Sequence, residues 1–350
     1  MHLLVTGHQG YIGTVLVPML LEQGHTVVGM DTNLFRQCNF GIPPKDVPEI
    51  KKDIRDVQAA DLEGFHAIIH LAALTNDPFG NLNADLTFDI NYFASVKIAR
   101  LAKQVGISRY LFSSSCSIYG AAGDDYIDEW GEYNPITPYG YSKELVEREV
   151  SKLADDNFSP TFLRNMTAYG VSPRIRFDLV LNSMVAWAVT TGRVYIKSDG
   201  TPWRSIVHVE DIARAFISIL HAPRELVHNR SFNVGTTEEN YRVSELAEIV
   251  AQTIPGSHIF YASDGGPDRS NYRVNCDRIK KELPEFKPEW NAQHGARQLF
   301  EAYISVGLSA DEIEGPNFKR ISHIKQLINQ GLLNESLYWK LGEQKKKNKL

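Results

Sequence analysis

Three closely spaced glycines constrain this chain more than any other feature. Gly7-His8-Gln9-Gly10-Tyr11-Ile12-Gly13 separates an apolar run, Leu3 to Thr6, from an amphipathic stretch, Tyr11 to Glu22. Between a strand and a helix, such a turn suits a bound dinucleotide. One glycine allows the tight turn, another lets backbone amides reach the pyrophosphate, and the third lets helix and strand pack closely, while the helix N-terminus adds partial positive charge. The next apolar run, Thr26 to Asp31, ends in a carboxylate about 20 residues on, where it can accept hydrogen bonds from adenosine ribose hydroxyls. That carboxylate repels a 2'-phosphate, and Thr32 and Asn33 supply no cation, so NAD is expected over NADP; Arg36 is the nearby cation that a loop can bring back.

Strand-like and helical patterns continue to alternate. Strands are expected at Ala67 to Leu71, Tyr110 to Ser113 and Thr161 to Leu163, with helices at about Leu86 to Gln104 and Gly140 to Leu153. This rhythm implies an α/β fold, a doubly wound parallel sheet of the Rossmann type. Beyond Gly170 it loosens into a helix near Leu179 to Thr190, short strands near Val194 and Ile206, and helices at Ile212 to Leu220 and Val243 to Thr253. We therefore expect a dinucleotide-binding domain over 1–170 and a smaller substrate-binding lobe over 171–310, with some strand exchange between them. A C-terminal extension and tail would occupy 311–350. Phe318 to Trp339 has helical apolar spacing at Ile321, Ile324, Leu327 and Ile328, and Lys345 to Lys349 reads as a solvated tail.

With 350 residues, 43% of them hydrophobic, the chain can bury a sizeable core. Its formal charge of -5 gives no basic field to attract nucleic acid or a membrane surface. The longest apolar runs, such as Ala67 to Ala73, fall far short of the roughly 20 residues of a membrane span. Met1-His2 leads straight into Leu3 without a basic leader, so a cytoplasmic protein is expected. Cys38, Cys116 and Cys276 are an odd, widely spaced set, which argues for free thiols and against a disulfide framework or a metal site.

Tyr139-Gly140-Tyr141-Ser142-Lys143 places a phenol and an ammonium four residues apart at a helix start, on one face. A phenol with an ordinary pKa of about 10 is a poor base at neutral pH, but a neighbouring ammonium and an oxidised nicotinamide both favour tyrosinate. Such a base can take a hydroxyl proton while the carbon's hydride leaves. Upstream, Ser113-Ser114-Ser115-Cys116-Ser117-Ile118-Tyr119-Gly120 brings hydroxyls to the carboxyl end of a strand, where doubly wound sheets hold ligands.

Together with Asp53-Ile54-Arg55-Asp56, His70-Leu71-Ala72-Ala73, Asn91 and Arg204 to Asp211, these segments make the chain resemble the extended short-chain dehydrogenase/reductase family, in its nucleotide-sugar epimerase/dehydratase branch. The resemblance implies NAD as cofactor and Ser115, Tyr139 and Lys143 as catalytic residues. It implies that Asp53 and Ile54 flank the adenine, that Leu71 and Ala72 line the cofactor, and that Lys143 also holds the nicotinamide ribose. Tyr11, Ile12, Ala73, Asn91 and Ser113 complete the implied cofactor set. On the substrate side it implies Thr75, Ser115, Ser117, Asn165, Thr167 and Arg174, with Arg204 and Arg269 on the diphosphate, a task that suits a guanidinium fork. Arg174 and Arg176 either add an anionic contact or brace their loop. His208 is a structural residue of its motif in this family. The family also implies a homodimer through helices around Asn91 to Gln104 and Gly140 to Leu153.

Within that family, dehydratases carry Asp-Glu directly after the catalytic hydroxyl residue; here those places hold Cys116 and Ser117. The 3,5-epimerases carry a cysteine two places after the serine, whereas Cys116 stands one place after it. On a strand-like segment that single step turns the side chain to the opposite face, so Cys116 is read as packing. Thr167 departs from the family's usual Asn. What remains is redox chemistry at one carbinol of a nucleoside-diphosphate sugar. Return of hydride to the other face makes a C4 epimerase, and no return makes a 4-dehydrogenase or ketoreductase. A non-catalytic NAD(H) sensor is disfavoured because Ser115, Tyr139 and Lys143 are all kept.

Overall fold

The computed structural model describes residues 1–75, 83–261 and 271–340, apart from the side chain of Ala122. Its strands in chain order are β1 (His2–Thr6), β2 (Thr26–Asp31), β3 (Glu49–Lys51), β4 (Ala67–His70), β5 (Arg109–Ser115), β6 (Ala121–Ile127) and β7 (Ser159–Asn165). There follow β8 (Thr167–Tyr169), β9 (Arg193–Ile196), β10 (Trp203–His208), β11 (Arg230–Val234), β12 (Asn240–Arg242), β13 (His258–Tyr261) and β14 (Asn271–Val274). Seven strands form the central sheet in the order β11-β7-β5-β4-β1-β2-β3, and every neighbouring pair is parallel. The chain reverses direction of winding between β1 and β4, so their carboxyl ends open a crevice that doubly wound sheets use for ligands.

Both faces of this sheet are covered, which explains why β4 and β7 are buried along their whole length. On one face Leu3, Val5 and Ile69 pack with Leu16 and Leu20 of the helix Gly13–Glu22 and with Phe216 and Ile219 of the helix Val209–His221. On the other, Leu4, Ile68 and Tyr110 meet Ile98 and Val146 from the helices Ala94–Gln104 and Pro138–Ser151. A third core, with Leu181, Val185, Leu246 and Leu299, lies in the second lobe around the helices Val180–Thr191, Val243–Thr253 and Ala292–Ser305. Beside it lie three small sheets, β12-β10-β8, β13-β9 and β14-β6, two of which take a strand from within 1–170, β8 and β6. β11 leaves the lobe to pair with β7 at the edge of the central sheet.

The expected helix from Phe318 to Trp339 is shorter: it runs over Arg320–Asn329. Gly331, at φ 71°, ends it. Its N–H bonds to the Ile328 carbonyl and that of Leu332 to the Leu327 carbonyl, which closes the helix in a Schellman turn. The lysine-rich tail lies outside the described residues. Among those residues, no helix is long and apolar enough to cross a membrane, no group of potential ligands is assembled for a metal, and all three cysteines are free and buried.

Candidate active site

The glycine turn meets the loop after β4 at very close range. Gly7 sits at φ 73°, and a Cβ on it would stand 2.7 Å from the Ala72 nitrogen. A Cβ on Gly13 would fall 2.4 Å from the Gly7 carbonyl oxygen, so helix and turn could not close up. Gly10 differs: a Cβ there would meet only the Gly7 carbonyl oxygen, at 3.1 Å, and otherwise occupy the cradle above the turn. Thus two glycines permit packing and one leaves room for a ligand. Ile12 stands at the helix N-cap. Tyr11 reaches the end of β8, its buried hydroxyl donating to the Gly170 carbonyl at 2.7 Å, so this side chain ties the turn to that strand end while its backbone stays in the cradle.

At the far end of the cradle, Asp31 accepts the amides of Gln9 at 3.2 Å and Asn33 at 2.8 Å. Burial pushes its carboxyl pKa up despite those bonds. Asp53 caps the turn Ile54–Asp56 and takes a fork from Arg55, at 2.9 Å to Nε and 2.8 Å to Nη2. Leu71, Ala72 and Ala73 follow β4, half-buried. The Leu71 amide donates to the Thr6 carbonyl at 3.1 Å and that of Ala72 to Thr6 Oγ1 at 3.3 Å. His70, buried between Thr6 Oγ1 at 2.7 Å and Ser95 Oγ at 2.8 Å, has its pKa pushed down to about 3 by desolvation and stays neutral.

The reactive end gathers where β5 and β7 stop. Thr137 caps the helix Pro138–Ser151 by accepting the Gly140 amide at 3.2 Å, and Pro138 fills its first turn. Tyr139 is half-buried in that turn. Lys143, one turn on, is buried; its Nζ donates to the Ser113 carbonyl at 2.7 Å and stands 5.6 Å from the Tyr139 ring centre. Desolvation lowers its pKa to about 7, against the opposing pull of Glu147 one turn further along. Ser115 Oγ accepts the Ser117 amide at 3.1 Å and donates to Ser117 Oγ at 3.0 Å. Cys116 points the other way: fully buried, it donates to the Arg164 carbonyl, and burial pushes its thiol pKa up. Asn165 Nδ2 donates to Ser113 Oγ at 3.0 Å, while its buried Oδ1 has no partner. The open cradle over Gly10 and the buried Lys143 fit a dinucleotide lying from Asp31 to Tyr139.

Other expected residues fall in several places. Asn91, in a π-turn of helix, spends its amide on the Leu74 backbone, accepting at 2.7 Å and donating at 2.9 Å. Thr167 lies half-buried on β8 opposite Ile206, and Arg204 stands on β10, its Nη1 donating to the Trp203 carbonyl at 2.7 Å. Arg174 is brought to the adenosine end, where it bonds Asn39 and donates to Gln9 Oε1 at 3.2 Å. Arg176 forks on Asp178 at 3.0 and 2.7 Å and donates to Thr75 Oγ1 at 2.9 Å. Arg269 lies outside the described residues. His208 caps the helix Val209–His221 by accepting the Glu210 amide at 3.2 Å and stacks 4.0 Å from Trp290.

Sequence reading missed the support behind Ser115. Arg164 is buried and donates to Glu147, with Nη2 at 2.7 Å from Oε2, while Ser114 Oγ donates to Glu147 Oε1 at 2.5 Å. One signal was present: Tyr139, Lys143 and Glu147 recur every fourth residue, which puts all three on one helical stripe.

Comparison with known proteins gives the same picture from outside. The model of the NAD dependent epimerase/dehydratase family matches residues 3–235. The "Putative UDP-glucose 4-epimerase" of Methanocaldococcus jannaschii is 29% identical over 85% of this chain and 96% of its own length. The protein MoeE5, solved with UDP-glucose and NAD, is 26% identical with a TM-score of 0.73, covering 87% of this chain and 99% of its own. UDP-glucose 4-epimerase from Thermotoga maritima, at 21% identity, shares the fold with a TM-score of 0.76 over 87% of this chain and 99% of its own.

Proposed function

The chain belongs to the NAD-dependent epimerase/dehydratase family of enzymes, and from that membership we propose that it epimerises a nucleoside-diphosphate sugar at C4 through a transient 4-keto sugar. One observation argues against dehydration and leaves redox chemistry at a single carbinol. Behind Ser115 stand a buried Cys116, bonded to a backbone carbonyl, and a Ser117 bonded to Ser115 itself, so neither position supplies the acid and base that loss of water from C5 and C6 requires. Tyr139 is left as the proton-transferring group.

Gly7, Gly10 and Gly13 would hold the pyrophosphate of NAD, Asp31 its adenosine ribose, and Lys143 its nicotinamide ribose. When bound, NAD would supply both the acceptor of the C4 hydride and, once reduced, the donor that returns it to the other face. Tyr139 takes the proton of the C4 hydroxyl and later returns it, and the Lys143 ammonium stabilises the tyrosinate in between. Ser115 Oγ holds the reacting oxygen, and Ser117 orients Ser115. Arg204 and Arg269 suit the diphosphate. Relatives named for UDP-glucose make UDP the first nucleotide to try.

The test is incubation of purified protein with UDP-, dTDP-, GDP- and CDP-sugars, read by NMR together with NADH absorbance. A C4 epimer with no net NADH is expected. Net NADH formation coupled to a 4-keto sugar would make the enzyme a 4-dehydrogenase, and net NADH consumption coupled to reduction of a 4-keto sugar would make it a ketoreductase.

A cytoplasmic homodimer is part of the same proposal. Phe93 is 61% exposed beside Tyr92, Val96 and Leu101 in a shallow groove, and a second copy would cover it. Light scattering is expected to give a dimer mass, and Phe93→Glu a monomer.

A further inference from the structure

Residues 311–340 lie beyond the stretch matched by the family model, yet they are built into the molecule rather than trailing from it. Ile324, Leu327, Leu332, Leu333 and Leu337 join the core that contains Leu4, Met30 and Ile54. Met30 and Ile54 are the immediate neighbours of Asp31 and Asp53. The C-terminal segment therefore shares one hydrophobic core with the residues next to the two carboxylates of the adenosine end.

Its polar groups reach the same two loops from the side. On the loop after Asp31, the Trp339 indole donates to the Thr32 carbonyl at 2.8 Å and His323 Nε2 to the Leu34 carbonyl at 2.9 Å. Arg320 lies 4.1 Å over the Phe35 ring and donates to the Arg174 carbonyl at 2.9 Å. On the turn after Asp53, Arg55 stacks 3.9 Å over the Tyr338 ring while donating to the Ser336 carbonyl at 2.9 Å. That same guanidinium forks on Asp53. Tyr338 closes the arrangement with its hydroxyl on Asp56 at 3.3 Å. Between these grips Asn33 holds a left-handed φ of 58° and gives its amide to Asp31, a conformation that needs surrounding support in a residue other than glycine.

We infer that residues 320–339 are a working part of the dinucleotide site, a brace that positions Asp31 and Asp53, so that NAD affinity and docking of the C-terminal segment are coupled. The inference rests on NAD being the cofactor. Trp339 and Tyr338 act as positioning residues, through the loops they hold. Coupling of this kind is reciprocal: whatever the brace contributes to NAD affinity, bound NAD returns as tighter docking of the brace.

The test uses the full-length protein stripped of cofactor. Titration with NAD is expected to give a Kd about tenfold weaker for Trp339→Ala and Tyr338→Ala, equivalent to roughly 1.4 kcal/mol, with kcat at saturating NAD within about twofold of wild type. Trp339→Phe keeps the ring but loses the bond to Thr32, and should fall between. Lys325→Ala, on the exposed side of the same helix, should leave Kd unchanged. In the unaltered protein, NAD is expected to slow hydrogen exchange of amides 320–339. A role confined to stability would lower Tm equally with and without NAD and leave Kd alone. Unchanged Kd in both alanine variants, or exchange indifferent to NAD, overturns the brace while NAD binding stands. Wild-type protein that fails to bind NAD overturns the cofactor reading, and the brace with it.

Discussion

The two ends of the cradle are assembled from opposite kinds of sequence information. At the reactive end, Tyr139, Lys143 and Glu147 rise from three successive turns of one helix, and their spacing alone brings them together. At the adenosine end, the loops that carry Asp31 and Asp53 are held by contacts spanning 307 and 281 positions of the chain, Trp339 to Thr32 and Arg55 to Ser336. Local order concentrates chemistry in a few atoms, whereas long-range order spreads binding over many contacts. Substitutions should therefore abolish rate at the first end and grade affinity at the second.

The largest effect is expected from Tyr139→Phe, which removes the proton-transferring oxygen and little else. General acid–base catalysis contributes about 10²- to 10⁴-fold, so kcat for sugar turnover should fall by about 10³ while NAD is still bound with near wild-type Kd. A variant retaining full turnover would show that the phenol is not the base.

Lys143→Met should cost about 10²-fold in kcat and, separately, change how stability depends on pH. The Lys143 pKa is lowered to about 7 from an ordinary 10.5. Between those values the unfolded chain binds more protons at this site than the folded one, so its contribution to stability rises with pH and is smallest at and below pH 7. Denaturant melts from pH 7.5 to 9.5 should show wild type gaining relative to Lys143→Met, with a difference of up to about 1.4 kcal/mol per pH unit. Parallel curves would mean that the lysine is not desolvated.

These expectations also show what was legible in the sequence and what was not. β2 begins and ends at Thr26 and Asp31 as expected because its apolar run is bounded by polar residues. The Gly7–Gly13 turn was legible because its three glycines stand together between an apolar run and an amphipathic stretch. β3, three residues at the sheet edge of which only Ile50 is half-buried, has no apolar run to announce it. The return of β11 to the central sheet is invisible to periodicity, since Arg230–Val234 reads as any short strand. Arg174 was expected on the substrate side, and only folding shows it beside Gln9 and Asn39.

Asp31→Ala probes the other end of the comparison. It should raise the Kd for NAD by about tenfold, the equivalent of one or two lost hydrogen bonds to a charged acceptor. At saturating NAD, kcat should stay near wild type. If instead kcat collapses, the two ends are mechanically linked, and rate and affinity are not set separately.

The smallest effect should come from the residue nearest the chemistry. Cys116 adjoins Ser115, but β5 ends in extended backbone, with Ser115 at φ -150° and ψ 145°, and the next side chain is directed away from the cradle. Its thiol donates to the Arg164 carbonyl among Leu163, Met166 and Phe232, with no exposure, and burial raises its pKa further from the range in which thiolate forms. Cys116→Ala should therefore lower stability by about 1 kcal/mol through lost packing and leave kcat, its pH profile and the Kd for NAD unaltered. Proximity along the chain is then a poorer guide to participation than the face a residue occupies: Lys143, 28 positions from Ser115 in sequence, belongs to the site, and Cys116, its immediate neighbour, belongs to the core.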